Sequence, residues 1–461
     1  MTRSVHATVA AGIALIALIL LSALPVAAQE RLFLWRFGGE LSELDTSDGS
    51  LGAVRQTIQL PPETRGVRLV GGRYLLLYAP YPTARTSFAL FNTQTFTTAV
   101  LPYSLPGRVL LEADDFQPRV FFRTETTVGV IAPPTFTPRP LLVTNPEWLF
   151  GVGQALIEYA EATRRLLLTR TVALQGAEIV AIDAETGELR GVIPADGKPE
   201  ALLVDNVGHR LYVPVRPSLG FDTEIRVYDL ETLELLATSK SYKLPLQLSW
   251  RLDVMRRQIL VGARNGEFGS GRGPWALSID AEGRPDARVD FAYLEFEQQS
   301  VHRIELLPST ARDQTLAVIA RGAIAPSTLG QWRPGRGVLV AMDANRLKPT
   351  AEVDLAVTGE SFDRDIIDAI LLTPPPPPTP LEFTIAGQRV DLQWRDPGDT
   401  THFVVEVGTI AGRSNLGILH VGNTTTWGVD GVPAGTYYVR VRAGNDVGPS
   451  VPSNEVVITV P

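Results

Sequence analysis

The chain has 461 residues, 44% of them apolar, a formal net charge of −8 and no cysteine. That length predicts two to four domains with sizeable cores. The acidic balance excludes nucleic acid as the main partner, which would want a basic face. The missing thiols exclude disulfides, thiolate metal sites and cysteine nucleophiles.

Met1–Ala28 reads as a secretory signal. Arg3 precedes an uncharged stretch from Val5 to Ala28 whose centre, Ile13–Leu21, is aliphatic, and Val26-Ala27-Ala28 offers a small-residue cleavage site. An uncleaved anchor is the alternative, since the stretch is nearly long enough to span a bilayer. Pro25 and the small residues after it favour cleavage, and no later run is apolar enough to cross a membrane. Only Lys198, Lys240, Lys243 and Lys348 are lysines among 42 basic residues, a bias expected of a GC-rich bacterial genome. The protein is therefore expected to be exported, to the periplasm, the cell surface or the medium.

Residues 29–373 repeat two pieces. One is a β-run ending at a turn residue, at Asp45, Asn92, Ala132, Asp183, Asp229, Asp280 and Asp343. The other is a short apolar strand, mostly behind a basic or amide residue, as in Arg31-Leu-Phe-Leu, Arg165-Leu-Leu-Leu and Arg210-Leu-Tyr-Val. Each piece occurs seven times. The runs are short, rich in aliphatic and aromatic residues, and bounded by Asp, Gly, Pro and Thr, as strands are. An Asp-Ala-Glu-Thr-Gly segment after a strand is turn chemistry: the Asp side chain holds the backbone two residues on, and Gly accepts positive φ. Repeats of about 40–50 residues with four strands each predict a β-propeller.

Residues 178–213, EIVAIDAETGELRGVIPADGKPEALLVDNVGHRLYV, resemble the YVTN-type repeat of bacterial surface-layer propellers. The likeness is good for 178–240, fair for 31–78 and 87–123, and loose elsewhere, especially at 127–143 and 275–357. The resemblance implies that the Pro-led strand is innermost (A), followed outward by B, C and D. The repeat region then begins with B, C and D strands and ends with a lone A-like strand, Ile366–Leu372. That last strand is expected to join the first three and close a seventh blade, leaving no open sheet edge.

Pro374–Pro380 (PPPPPTP) cannot sit in a helix or a central strand and is expected to be a stiff polyproline spacer. Beyond it, 381–461 alternates apolar and polar residues in VDLQW (390–394), HFVVEVG (402–408), TTTWGV (424–429), YYVRVRA (437–443) and NEVVITV (454–460), which predicts a small sandwich. These residues resemble a fibronectin type III module over nearly the whole segment. The resemblance makes Trp394 the core tryptophan of strand B and Tyr437, which shares parity with Val439, Val441 and Ala443, the tyrosine corner. The fold class is thus all-β, a seven-bladed propeller plus an immunoglobulin-like sandwich. No Arg-Gly-Asp tripeptide is present, so integrin binding is not implied.

Sequence-local chemistry is sparse. His209, His302, His402 and His420 show no zinc-ligand spacing. Asp45–Ser50 (DTSDGS) lacks the alternating ligands and distal Glu of a calcium loop and reads as a turn. Gly266–Gly273 has no helix behind it and reads as a loop tip, and no Gly-x-Ser-x-Gly elbow occurs. Glu112, Asp114 and Asp115 are expected at a solvated A–B turn. The B–C connections 79–86, 214–223, 263–274 and 320–337 are the long ones. In a propeller they share one face with the D–A loops, and long loops on a rigid scaffold are where binding concentrates. They carry Tyr81, Arg85, Arg216, Phe221, Phe268, Arg272, Trp275, Trp332, Arg333 and Arg336, and aromatics beside arginine are common anchors of interfaces. Arg272, Trp275, Trp332, Arg333 and Arg336 are the candidate binding residues.

Without a catalytic motif, cofactor or metal set, the expected function is that of a non-enzymatic exported binding or scaffold protein. Its loop-rich face would meet a protein or glycan at or beyond the cell surface, with the sandwich as spacer or second contact. One alternative is a propeller enzyme, since propellers of similar repeat type include lactonases and quinone-linked dehydrogenase subunits. Its site would draw on Glu112, Asp114, Glu158, Asp253, His302 and Glu305 around the A strands. Another is a surface-layer or adhesion component.

Overall fold

The computed structural model describes residues 30–461 except 37, 48, 80–84, 144–154, 173–175, 218–221, 244–247, 264–274, 290–299, 311, 323–335, 345–348 and 356–365. The signal-like stretch 1–28 lies outside the described residues, as does most of each long connection. The described residues form two compact units, Glu30–Leu372 and Thr373–Pro461.

The first unit contains seven antiparallel sheets among the described residues, each a meander running outward from a short inner strand. The inner strands are, in order, Arg65–Arg68, Leu110–Ala113, Ile157–Ala160, Leu203–Asp205, Leu248–Asp253, Ser300–Pro308 and Ile366–Leu372. Each packs against the next, and the last packs against the first, so the sheets form a closed ring. That arrangement is a β-propeller. The seventh sheet closes as the sequence requires: Ile366–Leu372 pairs antiparallel with Arg31–Arg36, with Leu34 opposite Ala369, and Glu40–Leu44 and Val54–Gln59 follow outward. The fourth sheet departs from the pattern, because Lys198–Pro199 and Leu203–Asp205 share the inner side of Arg210–Arg216.

Apolar side chains between neighbouring sheets hold the ring. Leu32, Leu34, Ala369 and Leu371 of the seventh sheet pack on Leu316, Val318 and Leu339 of the sixth. Between the seventh and first sheets, Phe33 meets Phe91 edge-on at 5.9 Å. There the Trp35 ring packs directly on Gly66, where a Cβ would lie 2.6 Å from Trp35 Cζ2. The predicted turn chemistry recurs: Asn92, Asp183 and Asp229 each accept backbone N–H bonds from the residues two and three positions on. Arg190, with the Thr186 and Glu185 amides, holds the Asp183 carboxyl well below the usual carboxylate range. Asp45 takes Ser47 N at 2.8 Å and the Arg55 guanidinium at 2.8 Å, which completes its turn from protein groups.

The second unit is a two-sheet sandwich of three and four strands. Two strands missing from the sequence reading appear, Leu381–Ala386 and Gly417–Gly422. Both lie at sheet edges. Trp394 is 3% exposed and packs 5.5 Å from the Phe403 ring. Tyr437 OH donates to the Pro433 carbonyl at 2.9 Å, the tyrosine-corner bond. The proline run is not a bare spacer. Thr373 accepts a hydrogen bond from Asn445 Nδ2 at 3.0 Å, and Pro374, Pro375 and Pro378 are buried.

Two predictions test this architecture. Deleting Ile366–Leu372 strips the inner partner from Arg31–Arg36 and should abolish the cooperative unfolding transition of the ring in calorimetry; an unchanged melting temperature would refute closure. Trp394→Ala should cost the sandwich about 3–5 kcal/mol and leave the transition of the other unit in place. Equal loss of both transitions would contradict two separate cores.

Candidate functional site

The A–B and C–D connections of the ring are all shorter than ten residues, and every connection of ten residues or more joins strand ends on the opposite face. A–B and C–D turns, such as 161–164, 206–209 and 184–188, are tight and internally hydrogen bonded. The strand ends joined by the B–C connections 264–274 and 323–335 and the D–A connections 144–156, 290–299 and 356–365 lie on the opposite face. Arg272, Trp332 and Arg333 lie outside the described residues. Trp275 and Arg336 are the first residues of the strands Trp275–Ile279 and Arg336–Asp343, and their side chains lie outside the described residues. Tyr81, Phe221 and Phe268 are also outside.

Two loop arginines prove to be structural. Arg216 ends a strand, is 6% exposed, and pairs with the Glu200 carboxylate at 2.9 Å. Arg85 begins a strand and donates to Ser104 Oγ at 2.7 Å and to the Ser104 carbonyl at 2.9 Å. Nothing in the local sequence separates these from loop residues, because their partners lie 16 and 19 positions away.

Of the six carboxylate and histidine candidates, two lie on neighbouring inner strands. Glu112 and Glu158 stand on adjacent inner strands, Leu110–Ala113 and Ile157–Ala160, and both are half-buried. This corrects the expectation that Glu112 sits in a solvated turn. Burial pushes the Glu158 carboxyl up to about 8, with Asp115 adding to the rise and Arg251 opposing it. Burial, then Glu158 and Asp115, hold Glu112 well above the usual range, against Arg251 and Arg68. Arg68 itself pairs with Asp115 at 2.7 Å. A carboxylic acid kept protonated near neutral pH can donate a proton or a hydrogen bond. Among the described residues, no nucleophile paired with a base accompanies it.

The remaining candidates are elsewhere. Asp114 is fully buried, not solvated; it accepts the Phe116 and Gln117 amides and binds Arg119 Nε at 2.7 Å. Arg119 also reaches Glu185 and, at 3.2 Å, Tyr159 OH, and it lies over the Phe121 and Tyr159 rings. Asp253 is buried against Arg256 at 2.9 Å. Glu305 is buried within its sheet, and the His302 side chain lies outside the described residues. In the sandwich, His402 and His420 stand on neighbouring strands with ring centroids 6.1 Å apart. Burial, then His420, lowers the His402 pKa.

No protein-family profile matches the chain, and no curated protein matches it. Among solved structures, it is similar to the dihydro-heme d1 dehydrogenase NirN, with 15% identity and a TM-score of 0.44 over 70% of this chain. The chain spans 63% of that protein's length. It is similar to a 6-phosphogluconolactonase-like protein from Bacteroides uniformis, with 11% identity and a TM-score of 0.45 over 75% of this chain and 100% of the other. A human fibronectin type III domain matches 19% of this chain and 86% of its own, with 27% identity and a TM-score of 0.17.

The Arg119 network spans the second and third sheets. Arg119→Met should leave Asp114 buried without its counter-charge and destabilise the ring by about 3–5 kcal/mol, read from denaturant midpoints. A loss below about 1 kcal/mol, the scale of a surface pair, would show the network to be ornamental.

Proposed function

We propose that the protein is a non-enzymatic exported binding scaffold. The Glu30–Leu372 ring is read as a seven-bladed propeller of the YVTN repeat type, and Thr373–Pro461 as a fibronectin type III module. The observation that carries the reading is the asymmetry of the ring. The described turns of one face are short and hydrogen bonded, and every connection of ten residues or more joins strand ends on the other. Rigid strands under long connections are how recognition surfaces are built. Arg272, Trp275, Trp332, Arg333 and Arg336 belong to these connections or their ends, and supply rigid aromatic and guanidinium groups suited to a protein or glycan surface. The sandwich serves as spacer or second contact. Its tyrosine-corner bond, buried Trp394 and three-plus-four strand order support the module assignment.

Replacing 264–274 and 323–335 with short turns tests the face. Capture of envelope glycans or envelope proteins by immobilised protein should fall at least tenfold with the melting temperature of the ring preserved. Undiminished capture by the trimmed protein would move recognition away from this face. Turnover of lactone substrates, abolished by Glu158→Gln, would replace the scaffold reading with an enzymatic one.

A further inference from the structure

The seam between the fourth and fifth sheets changes character toward the strand ends that carry the long connections. Its apolar part packs Tyr212, Ile225, Val227 and Tyr242 of the fourth sheet on Trp250, Ile259 and Val261 of the fifth. Side chains alternate along a strand, so Arg216 shares the face of Tyr212, and Thr223 that of Ile225. Arg216 and Thr223 follow the Val215–Glu224 pair near the ends of their strands, and Tyr242 pairs with Thr223. All three therefore face the fifth sheet. Glu200 joins them from a break in the inner strand, between Lys198–Pro199 and Leu203–Asp205. Its amide donates to the Pro214 carbonyl at 2.9 Å, and its carboxylate pairs with Arg216 at 2.9 Å. Burial pushes its carboxyl up, while Arg216, then Lys198 and the Trp250 indole, oppose the rise.

Three polar atoms of this group are buried and make no hydrogen bond to any described residue: Thr223 Oγ1, Glu200 Oε2 and Trp250 Nε1. Thr223 is 0% exposed and Trp250 6%. Buried donors and acceptors are almost always paired, so three together that are not mark a place built for another partner. The set is mixed: a carboxylate that only accepts, an indole that only donates, and a hydroxyl that does both.

We propose that this end of the seam is a subsite for a neutral, hydroxyl-rich ligand, a single sugar residue of a glycan. The proposal rests on the recognition reading of the loop-rich face and gives that face a ligand class. Glu200 and Arg216 neutralise each other and Lys198 is exposed, so the buried part offers no unopposed charge to an ion. A sugar hydroxyl both donates and accepts, so one ring can donate to Glu200 Oε2, accept from Trp250 Nε1 and make either bond with Thr223. Tyr242 and Trp250 add apolar surface for the C–H face of the ring. A few convergent polar groups in apolar surroundings are how small-ligand sites fix orientation.

Nitrogen-15 spectra of the full chain, titrated with glucose, galactose, mannose and N-acetylglucosamine, test the subsite. The Trp250 indole N–H resonance, once assigned, should shift saturably with at least one of these sugars. Thr223→Val removes the hydroxyl and keeps the shape; it should weaken that titration about tenfold, the loss of one hydrogen bond. Thr223→Ser keeps the hydroxyl and should titrate like the wild type. An indole unmoved by every sugar, or a Thr223→Val titration equal to the wild type, would overturn the proposal. If neither variant folds, the wild-type titration decides alone. Glycan capture that depends on 264–274 and 323–335 beside an unmoved indole refutes the subsite and leaves the recognition reading standing. Absence of both refutes the two together.

Discussion

A ring of sheets built from one chain must be closed somewhere, and here a single strand pairing does it. Ile366–Leu372 lies against Arg31–Arg36 across more than 300 residues of intervening sequence. Without that pairing the seventh sheet loses its inner strand, the sixth loses the apolar layer it shares with Leu32, Leu34 and Ala369, and Arg31–Arg36 becomes an open edge. The pairing also places the start and end of the repeat region in one sheet. The loop-rich face and the neighbouring positions of Glu112 and Glu158 both require a ring that is round and complete.

The chemistry of the ring is layered. Apolar contacts between sheets supply the bulk of the hold, roughly 25 cal/mol per Å² of apolar area removed from water. Asx turns organise the short-turn face and satisfy backbone donors there. Buried Arg119, Arg123 and Arg216, with half-buried Arg256 in a turn, bind carboxylates or carbonyls where apolar packing gives out. Glu112 and Glu158 stand apart from this scheme, as half-buried acids on adjacent inner strands.

Much of this architecture is legible in the sequence, because propeller strands announce themselves by turn residues. Asn92, Asp183 and Asp229 marked turns whose backbone amides they accept, and Tyr437, which shares parity with Val439 and Val441, bonds the Pro433 carbonyl. The site was far less legible. Burial of Asp114 and the inner position of Glu112 depend on the second sheet's register and on its packing against the third, neither of which a run of LLEADD reveals. Arg216 looked like a loop cation because its partner, Glu200, approaches only once the fourth sheet forms. The edge strands Leu381–Ala386 and Gly417–Gly422 were missed: the first directly follows the proline run, and in the second the exposed Ile418 puts an apolar residue on each face.

The absence of native cysteine makes ring closure open to direct measurement. Leu34→Cys and Ala369→Cys place one thiol on each strand of the closing pair, at directly opposed positions. Opposed antiparallel positions lie within the Cα spacing a disulfide spans. Refolded under oxidising conditions, the double variant should form the bond nearly quantitatively and melt at a higher temperature than its reduced form. Two free thiols in a folded, monodisperse protein would contradict the closed ring.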